Sequence, residues 1–229
     1  MLIKNFKLGV IALKLKQHIE IGKLVYKQIE SSSIEPNRYK IKKIPFLLGT
    51  IAPDLNCVYP AHRLSTTEKR FYRRLKITAS TEIMTIKSFT LGVITHYICD
   101  YFCYAHNNES LGPKHKKYET NLWNYYIAHL DELESTPSRI KRQWKVNKQK
   151  SIDNSFVENE LSIEEQCSII LEQIKLMNQE YKQNTIIDRR KNWEQIESQL
   201  RYDLQYIIFM ASHIDMLIME PFRCIVLDA

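Results

Sequence analysis

Two pairs of residues in this chain stand four apart and could do metal chemistry. His96 and Asp100 lie in Leu91-Gly-Val-Ile-Thr-His-Tyr-Ile-Cys-Asp100, and a helix sets residues at that spacing on one face, one turn apart. The surrounding run is apolar, so an ionised Asp100 there needs a partner. Taken alone, the pair reads first as a His–Asp hydrogen bond inside a core. A shared zinc ion is the competing reading, because Zn²⁺ takes imidazole nitrogen and carboxylate oxygen together. His115 and Glu119 repeat the spacing just beyond Gly112-Pro113. His106 lies between the pairs. Ten residues of straight helix would carry it about 15 Å from His96, so it belongs after a bend, with His115 and Glu119. Two imidazoles, one carboxylate and an open position make a catalytic type of zinc site.

Upstream, Asp54 follows Ala52-Pro53, and His62 comes eight residues later. With His96 and Asp100 they form a second set of nitrogen and oxygen ligands. His18, in Gln-His-Ile-Glu-Ile-Gly22, completes the group. Each residue alone is weak evidence; together, in this order, they are a strong signal.

That order resembles the zinc-dependent phospholipase C/D family, whose pattern is an early His, a Pro-Asp loop, a later His, His-x3-Asp-x5-His and finally His-x3-Glu. The corresponding residues are His18, Asp54, His62, His96, Asp100, His106, His115 and Glu119. The segment from His18 to Gly22 is also similar to the family's glycosylphosphatidylinositol-cleaving members. The resemblance spans about residues 6–120. It implies an all-α, multi-helix bundle of the phospholipase C / P1 nuclease type. It further implies one zinc on His62, His96 and Asp100 with Asp54, and a second on His106, His115 and Glu119. A third would use His18, with Asp100 bridging, and an N-terminal Trp exposed by signal cleavage. Here the chain departs, since its Trp residues are Trp123, Trp144 and Trp193. Two or three zinc ions per chain are therefore expected, the third lacking part of its ligand set.

The implied reaction is hydrolysis of a phosphodiester, with phospholipid as substrate, by a metal-activated water for which Asp54 serves as base or orienter. A single-strand nuclease of the related fold competes. Those nucleases end the motif in Asp and space the last two His pairs more widely, so Glu119 and the short gap from His106 to His115 favour the phospholipase. A non-catalytic metal-binding protein is the third reading.

The net charge of +7 and pI of about 9.0 suit an anionic partner such as a membrane surface or, second, nucleic acid. Basic residues cluster at Arg38–Lys43, Lys69–Lys76 and Arg139–Lys150; the bland reading of such runs is a solvated face or loop. The five cysteines, Cys57, Cys99, Cys103, Cys167 and Cys224, follow no disulfide framework. With an N-terminal apolar stretch cut short by Lys14, they lead to the expectation of a cytoplasmic protein without a transmembrane segment. Cys99 and Cys103 are expected to pack rather than ligate, and His129 and His213 to be ordinary polar positions.

The elements that must position these residues are helical. Five Gly and seven Pro in 229 residues disfavour a turn-rich β fold. The sequence predicts one helical domain over 1–229: a metal-ligand core at 6–134, a basic loop or linker at 137–154, and C-terminal helices at 159–219. Helices are expected over Phe6–Glu30 and Thr81–Phe102, the latter with Ile83, Ile86, Ile94, Tyr97 and Tyr101 on one side. Others are expected from Gly112-Pro113 to Glu134 and over Asp188–Met219. Ser162-x-x-Glu165 is a capping box behind Leu161, opening a helix with Ile163, Ile170, Ile174 and Tyr181. Gly49–Asp54 is expected to be a loop, because of its Gly and Pro.

Overall fold

A computed structural model describes residues 2–32, 41–55, 63–108, 111, 114–130, 162–185 and 193–219. The side chains described begin at residue 15 and exclude 31–32, 193–195 and 214–219. Among the described residues the chain is all α, with eight helices and no strand. They are α1 (Leu2–Ser32), α2 (Lys43–Leu55), α3 (Leu64–Ser80), α4 (Met84–Tyr101), α5 (Tyr104–Asn107), α6 (His115–Ala128), α7 (Ile163–Gln183) and α8 (Trp193–Met219). The basic stretch 137–154, Gly112-Pro113, Leu161, Cys57, Cys224 and His62 lie outside the described residues.

Helix α4 is the axis of the fold. From Thr90 to Tyr101 every residue is buried, so it is covered all round, and an apolar stripe is not the right template for it. This corrects the expected apolar face: Ile94, Tyr97 and Tyr101 are buried, but Ile83 and Ile86 at the N-terminal end are exposed. The hydroxyls inside α4 are satisfied locally, Thr95 donating to the Leu91 carbonyl and Ser88 to that of Met84.

Gly49–Asp54 is helix rather than loop, and Asp54 sits in the last turn of α2. Pro53 removes one amide, the one that would have bonded to the Gly49 carbonyl, and its ring crowds that carbonyl, so the last turn is helical at a cost. What holds α2 helical is its crossing with α4. The Cα atoms of Gly49 and Gly92 meet there. A Cβ on Gly49 would stand 2.1 Å from the Phe89 carbonyl oxygen, and one on Gly92 2.0 Å from that of Phe46. Only glycine permits this approach. The crossing carries Thr50 and Asp54 against α4.

Helix α3 has no counterpart in the sequence expectation, which saw there only a basic cluster. Its buried residues Leu64, Thr67, Phe71, Leu75 and Thr78 recur at helical spacing, packing on α4 and α7. The basic residues occupy its outer side, where Lys76 pairs with Glu164 at 2.6 Å. Helix α6 runs from His115 to Ala128, with His129 as C-cap; the expected start at Gly112-Pro113 and the stretch from 131 to Glu134 lie outside the described residues. Ser162 caps α7 as expected: its side chain accepts from the Glu165 amide, and Glu165 accepts from the Ser162 amide at 2.8 Å. Ile170, Ile174 and Tyr181 of α7 and Leu200, Leu204 and Ile207 of α8 complete the core.

Candidate metal centre

Five helices deliver the site. His18 comes from α1, Asp54 from α2, His96 and Asp100 from α4, His106 from α5, and His115 and Glu119 from α6. The turn at Phe102 and Cys103 brings His106 back toward Asp100. Cys103 is extended, with φ −105° and ψ 126°, and α5 restarts at Tyr104. The carbonyl of Tyr101, stranded at the end of α4, accepts from the side chains of Asn107 and Asn178, which fixes the bend. Arg63 Nε donates to the His106 carbonyl at 3.0 Å, and Gln17 Nε2 to the Glu119 carbonyl at 3.3 Å.

Two groups result. His18, Asp54 and His96 each offer a ligand atom, all within 4.8 Å of one another, and His106, His115 and Glu119 do the same. Asp100 stands between them: Oδ2 is 3.3 Å from His96 Nε2, and Oδ1 is 3.2 Å from His106 Nε2 and 3.9 Å from His18 Nε2. In the first group, His18 Nε2 lies 3.6 Å from Asp54 Oδ2 and His96 Nε2 lies 3.9 Å from Asp54 Oδ1. In the second, Glu119 Oε1 is 3.3 Å from His106 Nε2 and 2.9 Å from His115 Nε2. The structure thus groups His18 with Asp54 and His96. Among the described residues, all the sequence candidates meet in this one cluster.

The donor set and spacing fit zinc. Ligands about 2.0–2.1 Å from a tetrahedral ion stand roughly 3.3–3.4 Å apart. Most of these nitrogen–oxygen gaps bracket that figure and exceed the roughly 2.7–2.9 Å of a charge-assisted hydrogen bond. Only the pair His115–Glu119 sits at hydrogen-bond length. Asp54 Oδ2 and His106 Nδ1 are buried with no hydrogen-bond partner; a cation would engage the carboxylate oxygen directly. His96 is oriented from behind, Nδ1 facing the Thr50 carbonyl at 2.8 Å. With Nδ1–H donating there, the Nε2 lone pair is left for the cluster. Burial pulls the His96 pKa down, but Asp100, by charge and by hydrogen bond, with Asp54 and the Thr50 carbonyl, outweighs it and leaves the pKa raised. Those carboxylates would favour a dication for the same reason.

Behind the second group lies a residue the sequence expectation did not single out. Asp203 of α8 is fully buried. Its Oδ2 accepts from the Tyr104 amide at 2.8 Å and the Tyr118 hydroxyl at 2.9 Å. Its Oδ1 accepts from Tyr181 and from Gln199 Nε2, each at 2.6 Å. It thereby caps α5 from another helix and ties α5 and α6, which carry His106, His115 and Glu119, to α7 and α8. An acid on the stripe of Leu200, Leu204 and Ile207 was the available signal. The Thr50 carbonyl left none, since any residue offers one.

The remaining candidates are structural. Cys99 and Cys103 are buried and not disulfide-bonded, and burial pushes the Cys103 thiol well above its ordinary pKa. His129 and His213 each place Nδ1 near the carbonyl four residues back, at 3.0 and 2.9 Å.

A family model described as zinc dependent phospholipase C matches residues 17–176, more than half of the chain and a span that includes every residue of the cluster. Comparison with curated proteins and with solved structures gives no significant match. The match, on an all-α chain carrying this cluster, establishes that the chain belongs to the zinc-dependent phospholipase C family.

Proposed function

We propose that this chain is a zinc-dependent phosphodiesterase of phospholipase C type, hydrolysing a phospholipid to diacylglycerol and a phosphomonoester by direct attack of water on phosphorus. The observation that supports it best is the pair of nitrogen–oxygen ligand groups on either side of Asp100. His18, Asp54 and His96, with His62, are assigned to one zinc, and His106, His115 and Glu119 to the other, with Asp100 shared. Bound zinc supplies a water of lowered pKa and neutralises the phosphate and the departing alkoxide.

The chain's own residues do the rest. The Thr50 carbonyl holds the His96 ring, and Asp203 holds the α5 turn that presents His106. The Asp54 carboxylate takes the proton of the attacking water on the oxygen not engaged by the metal. One phosphorus–oxygen bond forms as the bond to diacylglycerol breaks, and that proton balances the one the alkoxide acquires. The reaction needs no covalent enzyme intermediate.

The test is zinc content and turnover on one preparation, using a nitrophenyl phosphocholine ester, phospholipid and single-stranded oligonucleotide. Chelator-sensitive hydrolysis of the first two is expected. Cleavage of the oligonucleotide alone would transfer the site to a nuclease. Zinc-loaded protein that leaves all three intact would remove the catalytic reading.

A further inference from the structure

The face of α2 that points away from the bundle is apolar along its whole length. Phe46, Gly49, Thr50 and Pro53 form the buried side. On the opposite side, Ile44, Leu48, Ile51 and Leu55 recur at spacings of four, three and four, which places them in one stripe. Ile44 is 74% exposed, Leu48 52% and Leu55 57%, while Ile51 is half-buried. The only acid in α2 is Asp54, whose carboxylate is turned to the metal cluster. A solvent-facing side of a helix ordinarily carries polar residues; this one carries none over three turns.

The stripe has basic flanks and further apolar neighbours. Lys42 and Lys43 are exposed at its N-terminal end. The Lys42 ammonium donates to Thr85 Oγ1 at 2.9 Å, and its amide to Ser88 Oγ at 2.8 Å. Those bonds bring the first turn of α4 alongside, with Ile83 61% and Ile86 42% exposed. At the other end Leu55 follows Asp54 directly. The stripe therefore runs from a pair of cations to the edge of the site.

We propose that this outer face of α2 is a lipid-docking surface, by which the protein seats its metal centre on an anionic bilayer. Apolar side chains beside lysines, on a protein of net charge +7, match the requirement of an interfacial helix: insertion among acyl chains with cations at the headgroups. No described helix is long and apolar enough to cross a membrane, so contact at the interface is the mode this face offers. The proposal rests on the reading of a phospholipid substrate and makes that substrate one presented in a membrane.

The test uses the full zinc-loaded chain and the double variant Ile44→Glu/Leu48→Glu, with matched zinc content and melting temperature. Both are titrated with phosphatidylcholine vesicles, with and without phosphatidylglycerol, and assayed on a soluble nitrophenyl phosphocholine ester. Native protein should bind the anionic vesicles more tightly, and the variant at least about tenfold more weakly than native. Hydrolysis of the soluble ester should be equal in the two. The proposal is overturned if native protein ignores vesicles or if the variant binds them as well. It is also overturned if native protein forms a dimer that the variant abolishes without any vesicle binding, since the face then meets a second copy. Vesicle binding by native protein that cleaves neither the soluble ester, the vesicle lipid nor single-stranded oligonucleotide would remove the catalytic reading while leaving the docking surface standing.

Discussion

Asp203 gives the strongest quantitative test of the structure. Burial pushes its carboxyl up, from 3.8 to about 7, against hydrogen bonds from the Tyr104 amide, Tyr181, Gln199 and Tyr118 that pull it down. The protonated form is thus favoured in the folded state. Between the unfolded pKa near 3.8 and the folded one near 7, the native chain holds a proton that the unfolded chain releases, so stability falls as pH rises. A displacement of about three units corresponds to about 4 kcal/mol, spread at about 1.4 kcal/mol per pH unit over that window. Asp203→Asn removes the titration and can keep the network. Its Oδ1 accepts from Tyr104 and Tyr118, while its amide donates to the Tyr181 hydroxyl and to a flipped Gln199. Urea denaturation of both proteins, with chelator present, isolates the effect, because every other titrating group cancels in the difference. From pH 5 to pH 8 the stability difference should move by about 3 kcal/mol in favour of the Asn variant. A flat difference would refute the raised pKa. A shift in favour of Asp would show that the four donors outweigh burial and keep the group ionised.

Other outcomes follow from named contacts. Gly92→Ala should cost several kcal/mol, above the roughly 1–3 typical of overpacking, because its Cβ meets the Phe46 carbonyl, which is backbone and cannot swing aside. Thermal melts with zinc counts would check this, and a near-native melt would contradict the crossing. Asp100→Asn should lower zinc at both groups, because each carboxylate oxygen faces a different histidine, whereas His115→Ala should lower it at one. Equal and small effects would break the shared-ligand assignment. Glu119→Ala should reduce hydrolysis, and His213→Ala should leave it unchanged, as measured by turnover of the soluble ester. Ser162→Ala should cost about 1 kcal/mol of stability with no change in zinc content, separating a helix cap from the metal centre.

The sequence by itself determined what depends on neighbours along the chain. The pairs His96–Asp100 and His115–Glu119 share helix faces because residues four apart must, and Ser162 and Glu165 cap α7 for an equally local reason. The distance argument that sent His106 around a bend also held, since ten residues of straight helix cannot close on themselves. Tertiary structure decided what depends on residues far apart in the chain. Pro53 argued for a loop at Gly49–Asp54, but the approach of Gly49 to Gly92, forty-three positions away, keeps α2 helical and carries Asp54 to the cluster. His18 joins Asp54 and His96 because α1 packs on α2 and α4, which periodicity within α1 cannot express. Asp203 reads locally as an acid on an apolar stripe, and three of its four donors, Tyr104, Tyr118 and Tyr181, come from other helices. Local pattern reports which residues share a helix face; only packing decides which faces meet.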